Sequence, residues 1–299
     1  MRIKNAKTGL AALCGLVLAA MALSAPAAAQ SREVWMSTDV STAWAKGFKG
    51  QGVSISIVDD FTYDPFSGNL TGRTERKTHG QWTAQQAGLI APRATVYRRS
   101  FYNEFTDLPL RSGLNVINLS YGMSAAPGSG GIDYEALEDS IINYAQTSQA
   151  VVVKAAGNES VRIGGVDGYG EIDYLNVDLI GADSAIFVGA LNRNGTTKSK
   201  ASLASYSNRA GSNTTVQNQF LVVGVNESQM KMAGTSFAAP IVAGYAAILG
   251  SKFTSATPDQ IVDQLLSTAR RDTIANYRAS VHGKGEASLS RALAPSSLR

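Results

Sequence analysis

The chain has 299 residues, of which 44% are hydrophobic, and a formal net charge of +4 at pH 7. This length is enough to bury a substantial core, in one large domain or in two small ones. Three of the positive charges lie within the first seven residues, and subtracting them from +4 leaves +1. A remainder this close to neutral argues against a nucleic-acid partner.

The first 29 residues have the three parts of a secretory signal peptide. A basic start is followed by an apolar run at residues 10–23 and by small residues at 27–29. We therefore expect cleavage before Gln30 and a secreted or periplasmic product, residues 30–299, that forms a single domain without a membrane attachment. An uncleaved membrane anchor is the alternative, although the apolar run is short for a span. The only cysteine, Cys14, falls within this segment, so the exported product contains no disulfide.

Short apolar runs predict buried strands after this segment. The predicted strands are residues 53–58, 94–98, 116–119, 151–153, 185–188 and 220–223. Helical patterns or caps predict one turn at residues 43–47 and helices at 80–90, 133–145 with Asp133 as the cap, 239–250, and 257–269 after a capping box. Because strands alternate with helices, we expect one α/β domain with a mostly parallel sheet.

Residues 234–250 organise the rest of the chain. The segment Gly-Thr-Ser-Phe-Ala-Ala-Pro predicts a sharp turn that delivers Ser236 to the first turn of a buried helix, which is expected to end at Gly250. The start of a helix offers free N–H groups and a positive dipole end, where negative charge can be stabilised. Serine at such a position is usually only a helix cap. A catalytic role for Ser236 therefore needs partner residues elsewhere.

Candidate partners exist at other points of the chain. A serine hydroxyl attacks a carbonyl group only when a base accepts its proton and donors stabilise the oxyanion. The only histidines are His79, at the start of a predicted helix, and His282, in a glycine-rich turn where a structural role is preferred. Asp59 and Asn158 follow predicted strands, and active sites of parallel sheets lie at the carboxyl ends of strands.

Five segments together resemble the motifs of the subtilisin family. Residues 55–59, 78–80 and 234–240 are similar to its aspartate, histidine and serine motifs, in the chain order known for subtilisin. Residues 116–122 resemble the segment that pairs with substrate, and residues 155–159 the segment with the oxyanion-hole asparagine. The resemblance implies a subtilisin-like three-layer α/β fold, with a mostly parallel central sheet flanked by helices.

The resemblance also implies the role of each site residue. Ser236 would be the nucleophile, His79 the general acid and base, and Asp59 the group that orients His79. Asn158 and the Ser236 N–H would hold the oxyanion. An extended polypeptide substrate would pair with the segment Ser120, Tyr121 and Gly122. The expected function is that of an exported serine endopeptidase that acts through an acyl-enzyme, without a cofactor or metal.

The sequence departs from the family pattern at several positions, of which two bear most directly on the expected site. Phe61 stands where the family usually has glycine, so the loop after Asp59 must differ locally, and Asp60 becomes a second candidate for the orienting role. Gln85 replaces a packing glycine on the helix that begins near His79. These departures motivate one alternative, a catalytically silent module that binds peptides or proteins. A lipase-type esterase is disfavoured because Ser236 is not in a Gly-x-Ser-x-Gly elbow.

Two segments that accompany many family members have no room here. The chain between His79 and Tyr97 is too short for the family's calcium loop, so we expect no such site. No inhibitory propeptide fits between Gln30 and the domain. The protein is therefore expected to fold unaided or with a separate helper or inhibitor chain.

Substrate preference is the least determined property. The acidic loop at residues 159–178 favours basic substrate residues, and Tyr121 is expected to crowd the pocket. Asp167, Glu171 and Asp173 in this loop could hold a cation, but their spacing matches no known site and a solvated face is preferred.

Overall fold

The computed structural model describes residues 31–298, and the chain from Ser31 onward forms one compact unit. The expected signal peptide at residues 1–29 lies outside the described residues. Within the described part, no helix combines the length and apolar character that crossing a membrane requires.

The described chain contains ten strands and ten helices. The strands are β1 (Val53–Asp59), β2 (Phe66–Gly68), β3 (Glu75–Lys77), β4 (Thr95–Ser100), β5 (Leu114–Leu119), β6 (Ser124–Ala125), β7 (Val151–Ala155), β8 (Ile172–Asp173), β9 (Ala185–Leu191) and β10 (Phe220–Gly224). The helices are α1 (Thr38–Ala45), α2 (His79–Ile90), α3 (Ala136–Gln146), α4 (Tyr174–Asp178), α5 (Thr214–Gln219), α6 (Glu227–Met230), α7 (Ala239–Lys252), α8 (Pro258–Ser267), α9 (Ala279–His282) and α10 (Leu289–Ala292).

Six of these strands form a parallel sheet in the order β10-β9-β7-β5-β1-β4. Strands β1, β7 and β9 are mostly apolar and are buried along their whole length because helices cover both faces of the sheet. The chain leaves β1 toward β4 at one edge and then continues from β5 toward the other edge. The strand order therefore reverses between β1 and β5, which is where ligands of open α/β sheets bind. Asp59 ends β1, and Ser120 directly follows β5.

Two apolar cores lie on opposite faces of the sheet. One contains the buried residues of α2, α7 and α8, and the other those of α3, α4 and α5. The result is the three-layer α/β fold with a parallel central sheet that the sequence predicted. All six predicted strands are present within one or two residues at most boundaries.

Helix α7 is enclosed on all sides, as expected from its apolar sequence, because every residue from Ala239 to Ser251 is buried. The prediction that it ends at Gly250 is wrong, since the helix continues to Lys252. A Cβ atom at Gly250 would lie 2.5 Å from Leu114 Cδ2, so this glycine allows close packing against β5. Ser236 does not lie in α7 either. It occupies a 3₁₀ turn, Thr235–Phe237, just before that helix.

The predicted cap of α3 is also wrong. The helix begins at Ala136 after Glu135, and no side chain caps it. The Leu137 N–H instead donates to the carbonyl of Glu104, 2.9 Å away. A backbone contact from a distant segment thus does what Asp133 was expected to do.

Candidate active site

The contact between Asp59 and His79 is the centre of the site. His79 Nδ1 lies 2.6 Å from Asp59 Oδ1, and the two side chains are 30% and 1% exposed. The carboxylate accepts two further hydrogen bonds, from the Asp60 N–H at 2.7 Å and from Thr83 Oγ1 at 2.8 Å. A carboxylate fixed in this way holds the imidazole in one orientation, with Nδ1–H toward Asp59 and Nε2 as the remaining nitrogen for proton transfer.

Helix α2 positions His79 from its first turn. Thr78 accepts from the Gln81 N–H at 3.4 Å, and Gln81 Oε1 accepts from the Thr78 N–H at 3.0 Å, which completes a capping box. Thr83 lies four residues after His79 and therefore on the same helix face. Sequence reasoning missed Thr83, although a hydroxyl residue at this spacing from the histidine was the available signal.

The loop after Asp59 fits against the start of α2 despite Phe61. The Gly80 N–H donates to the Asp60 carbonyl at 2.7 Å, and a Cβ atom at Gly80 would lie 2.9 Å from the Phe61 ring. Among the described residues of this loop, the one with positive φ is Asp64, at 48°. Phe61 therefore does not adopt the positive-φ conformation that would require glycine. The Asp60 carboxylate accepts from the N–H groups of residues 62 and 63, so the contact with His79 is made by Asp59.

Gln85 makes a contact of its own on α2. Its Oε1 accepts a hydrogen bond from Lys77 Nζ at 2.8 Å. The side chain that replaces the family's glycine therefore ties β3 to α2, one turn and a half after His79.

The hydroxyl group of Ser236 is not hydrogen-bonded to this pair but to Ser120. Ser236 Oγ donates to the Ser120 carbonyl at 3.1 Å, and Ser120 Oγ donates to the Ser236 carbonyl at 2.9 Å. Within the described chain, no hydrogen bond joins Ser236 to His79. The next residue, Phe237, contacts His79, with the two rings 5.6 Å apart from centroid to centroid, so the turn that contains Ser236 packs against His79.

Asn158 is oriented by the residue that precedes Ser236. Its Oδ1 accepts from the Thr235 N–H at 2.8 Å and from Thr235 Oγ1 at 3.1 Å. Thr235 Oγ1 is itself held by the Gly157 N–H at 3.0 Å. These bonds to Oδ1 fix the orientation of the Asn158 amide and leave its Nδ2 as the donor end of the side chain.

A cavity of about 290 Å³ opens beside Ser236 and Asn158. Ser120, Tyr121 and Gly122 form part of its wall. The Tyr121 hydroxyl donates to Glu138 Oε1 of α3 at 2.7 Å. Burial, followed by the Glu138 carboxylate, raises the pKa of this phenol well above its ordinary value. Tyr121 is thus anchored on α3 as a neutral donor.

Among the described residues, the remaining candidates make no hydrogen bond to Asp59, His79 or Ser236. His282 is buried at the end of α9 with Nδ1 3.2 Å from the Arg278 carbonyl, and burial lowers its pKa. Asp173 pairs with Lys154, whereas Asp167 accepts from backbone N–H groups of its own loop. In the described part of the chain, no three or more His, Cys, Asp or Glu side chains are grouped to hold a metal ion.

Comparisons with solved structures give the same fold. The prenylagaramide maturation protease PagA has a TM-score of 0.56 and 20% identity, covering 86% of this chain and 98% of that one. A protease of Pseudoalteromonas arctica has a TM-score of 0.56 and 19% identity, with 86% and 93% covered. MycP1 from the ESX-1 type VII secretion system has a TM-score of 0.54 and 19% identity, with 89% and 86% covered. No curated protein sequence matches the chain significantly.

A sequence model of the Subtilase family matches residues 68–289, well over half of the chain. This span includes His79 and Ser236, whereas Asp59 precedes it. The match, together with the fold, makes this chain a member of the subtilase family and a subtilisin-like serine peptidase.

Proposed function

We propose that this peptidase is an exported endopeptidase that cleaves polypeptides through an acyl-enzyme on Ser236. His79 acts as general base and acid, Asp59 orients it, and no cofactor takes part. The observation that carries the proposal is the 2.6 Å contact between His79 and a carboxylate whose other oxygen is also bonded.

The reaction begins with a rotation of the serine side chain. Turning about its Cα–Cβ bond takes Ser236 Oγ away from the Ser120 carbonyl and toward His79 Nε2, a rotamer change of the picosecond to nanosecond class. Catalytic hydrogen bonds of this kind often form only when substrate is bound. His79 then accepts the proton as Oγ attacks the substrate carbonyl, and returns it to the leaving amine.

The oxyanion of the tetrahedral intermediate would lie between two donors. One is Asn158 Nδ2, and the other is the Ser236 N–H, which has no acceptor among the described residues. Ser236 lies in the turn just before the N-terminus of α7, whose dipole favours negative charge, and Asn158 is hydrogen-bonded to Thr235 of the same turn.

The substrate would bind as an added strand along Ser120, Tyr121 and Gly122. In the described chain, the backbone groups of Tyr121 and Gly122 make no backbone hydrogen bonds. They are therefore free to pair with an extended peptide, which places its scissile carbonyl at Ser236. This mode favours unfolded or loop segments of polypeptides.

Cellular context is part of the same proposal. The pattern of residues 1–29 supports a cleaved signal peptide and a single peptidase domain at residues 30–299, secreted or periplasmic. Its partners would be polypeptide substrates and a separate folding helper or inhibitor chain, without nucleic acid or membrane.

Labelling with a fluorophosphonate tests the assignment. Purified wild-type protein is expected to react at one site, and Ser236→Ala to lose the label while remaining folded. Asp59→Asn should slow labelling by several orders of magnitude, because it favours the wrong imidazole tautomer. A folded wild-type protein that is neither labelled nor able to cleave peptides would refute the proposed mechanism.

A further inference from the structure

The wall of the cavity beside Ser236 contains a buried ion pair. Lys154 Nζ lies 3.0 Å from Asp173 Oδ2, and the two side chains are 1% and 18% exposed. Lys154 also donates to the carbonyl of Ala155 at 2.8 Å. Both charged residues line the same cavity as Ser236 and Asn158.

The carboxylate of this pair is held at a fixed position. Asp173 Oδ1 accepts from the Met123 N–H at 3.0 Å and from the Asn176 N–H at 3.4 Å. Strand β8 adds to this by pairing Asp173 with Ser124 of β6. A Cβ atom at Gly122 would lie 2.7 Å from Asp173 Oδ2, so only glycine leaves room for the carboxylate next to the substrate-binding segment.

The other charged side chains that line the cavity are exposed, except that of Asp167, which is half-buried like that of Asp173. They are Glu159, Arg162, Asp167 and Glu171. Water and salt screen exposed charges strongly, whereas buried charges are screened much less. Lys154 is therefore the least screened charge that lines the cavity, and Asp173 is the carboxylate paired with it, although the exposed acidic side chains outnumber the exposed basic one.

We propose that Lys154 sets the charge preference of this peptidase by neutralising Asp173. Resting on the proposed function, this assigns to the cavity an uncharged side chain of the substrate residue that precedes the scissile bond, the P1 residue. A basic P1 side chain would bring a second cation next to Lys154, and one carboxylate cannot compensate two cations out of water. An acidic P1 side chain would meet the partly exposed carboxylate of Asp173.

Removing one residue of the Lys154–Asp173 pair should change the charge preference at P1, in a direction that depends on which residue is removed. Lys154→Met leaves Asp173 uncompensated, so substrates with arginine at P1 gain relative to those with glutamine. Asp173→Asn leaves Lys154 uncompensated, so glutamate gains instead. The double variant should return to an uncharged preference. Arg162→Met is the matched control, because it removes a cation that lines the same cavity but is exposed.

The test compares kcat/KM for quenched peptides that differ only in a P1 glutamine, arginine or glutamate, with the cleaved bond identified by mass spectrometry. Wild-type protein is expected to favour glutamine over both charged residues by at least tenfold. Lys154→Met should raise the arginine-to-glutamine ratio at least tenfold, while Arg162→Met changes it less than threefold. A wild-type preference for arginine, or an unchanged ratio in folded Lys154→Met, would overturn the proposal.

Two further readouts distinguish a failure of the charge preference from a failure of catalysis or of folding. Affinities of fluorescent peptides that end in glutamine, arginine or glutamate are measured on Ser236→Ala, where the same order is expected. If wild-type protein cleaves nothing, the proposed function fails, while the binding order still decides the charge preference. If the single variants do not fold, the wild-type profile decides it alone.

Discussion

Replacing Thr83 with valine removes the hydrogen bond that Thr83 Oγ1 donates to Asp59 Oδ2. Thr83 is fully buried and Asp59 is 1% exposed, so water cannot replace the lost donor at Oδ2. A hydrogen bond to a buried charged group contributes about 1.5–3 kcal/mol. We therefore expect Thr83→Val to lower the free energy of unfolding by about 2 kcal/mol, which corresponds to a Tm lower by roughly 4–8 °C for a domain of this size.

The same substitution should also reduce activity. With one carboxylate oxygen released, Asp59 holds His79 less firmly, and a loss of about 1.4 kcal/mol in transition-state stabilisation corresponds to tenfold in kcat/KM. We expect about this loss in kcat with little change in KM, measured on one peptide substrate together with the thermal midpoint. Thr83→Ser keeps the hydroxyl and should restore kcat to within threefold. If Thr83→Val matches wild-type protein in both kcat and Tm, Thr83 does not support Asp59 as we infer.

Three further predictions follow from the structure. Asn158→Ala should lower kcat about 100- to 1,000-fold with KM nearly unchanged, the range established for the oxyanion-hole asparagine of subtilisin, and a loss below tenfold in steady-state kinetics would exclude the role. Gly244→Ala places a Cβ atom 2.6 Å from Ile90 Cγ2 and should lower the free energy of unfolding, measured in urea, by about 1–3 kcal/mol. In the control Gly88→Ala the nearest atom to the new Cβ is 3.6 Å away, so this change should leave the free energy of unfolding the same or raise it. Burial lowers the pKa of His282, so the folded state favours the neutral imidazole. This contribution to stability is complete above pH 6.5 and is lost as the pH falls. The free energy of unfolding of wild-type protein should therefore decrease more between pH 7.5 and 5 than that of His282→Gln.

The strands were predictable from sequence because parallel strands buried on both faces read as apolar runs. The short hairpin of β2 and β3 was missed, since its strands have three residues each and all three residues of β3 are charged. Its pairing of Phe66 with Lys77 depends on the neighbouring loop and on α2, not on a local pattern. The cap of α3 failed for the same reason, because a carbonyl 33 residues away satisfies the helix start.

The functional site, like the fold, was predictable from the sequence only in part. Motifs pointed to Asp59, His79 and Ser236 and to a contact of Asp59 with His79, but not to the contacts that Thr83 and Thr235 make. Thr83 reaches Asp59 over 24 residues, and Thr235 reaches Asn158 over 77. Such contacts form only when the fold brings distant segments together, so the short-range pattern of the sequence does not predict them.

The buried pair in the cavity is the clearest case of this limit. The acidic composition of residues 159–178 favours basic substrates, but it does not reveal which of these carboxylates is neutralised. Lys154 stands within an apolar strand, 19 residues before Asp173, and only the fold joins them. The pairing of Asp173 with Lys154 is the contact that a count of charges along the loop leaves out.

A crystal structure of the phosphonylated protein tests the central claim most directly, because the adduct mimics the tetrahedral intermediate. We predict a covalent bond from Ser236 Oγ to phosphorus, an imidazole of His79 that keeps its contact with Asp59, and a phosphonyl oxygen within 3.2 Å of Asn158 Nδ2. An adduct on another residue, or one on Ser236 with His79 and Asn158 turned away from it, would contradict the account.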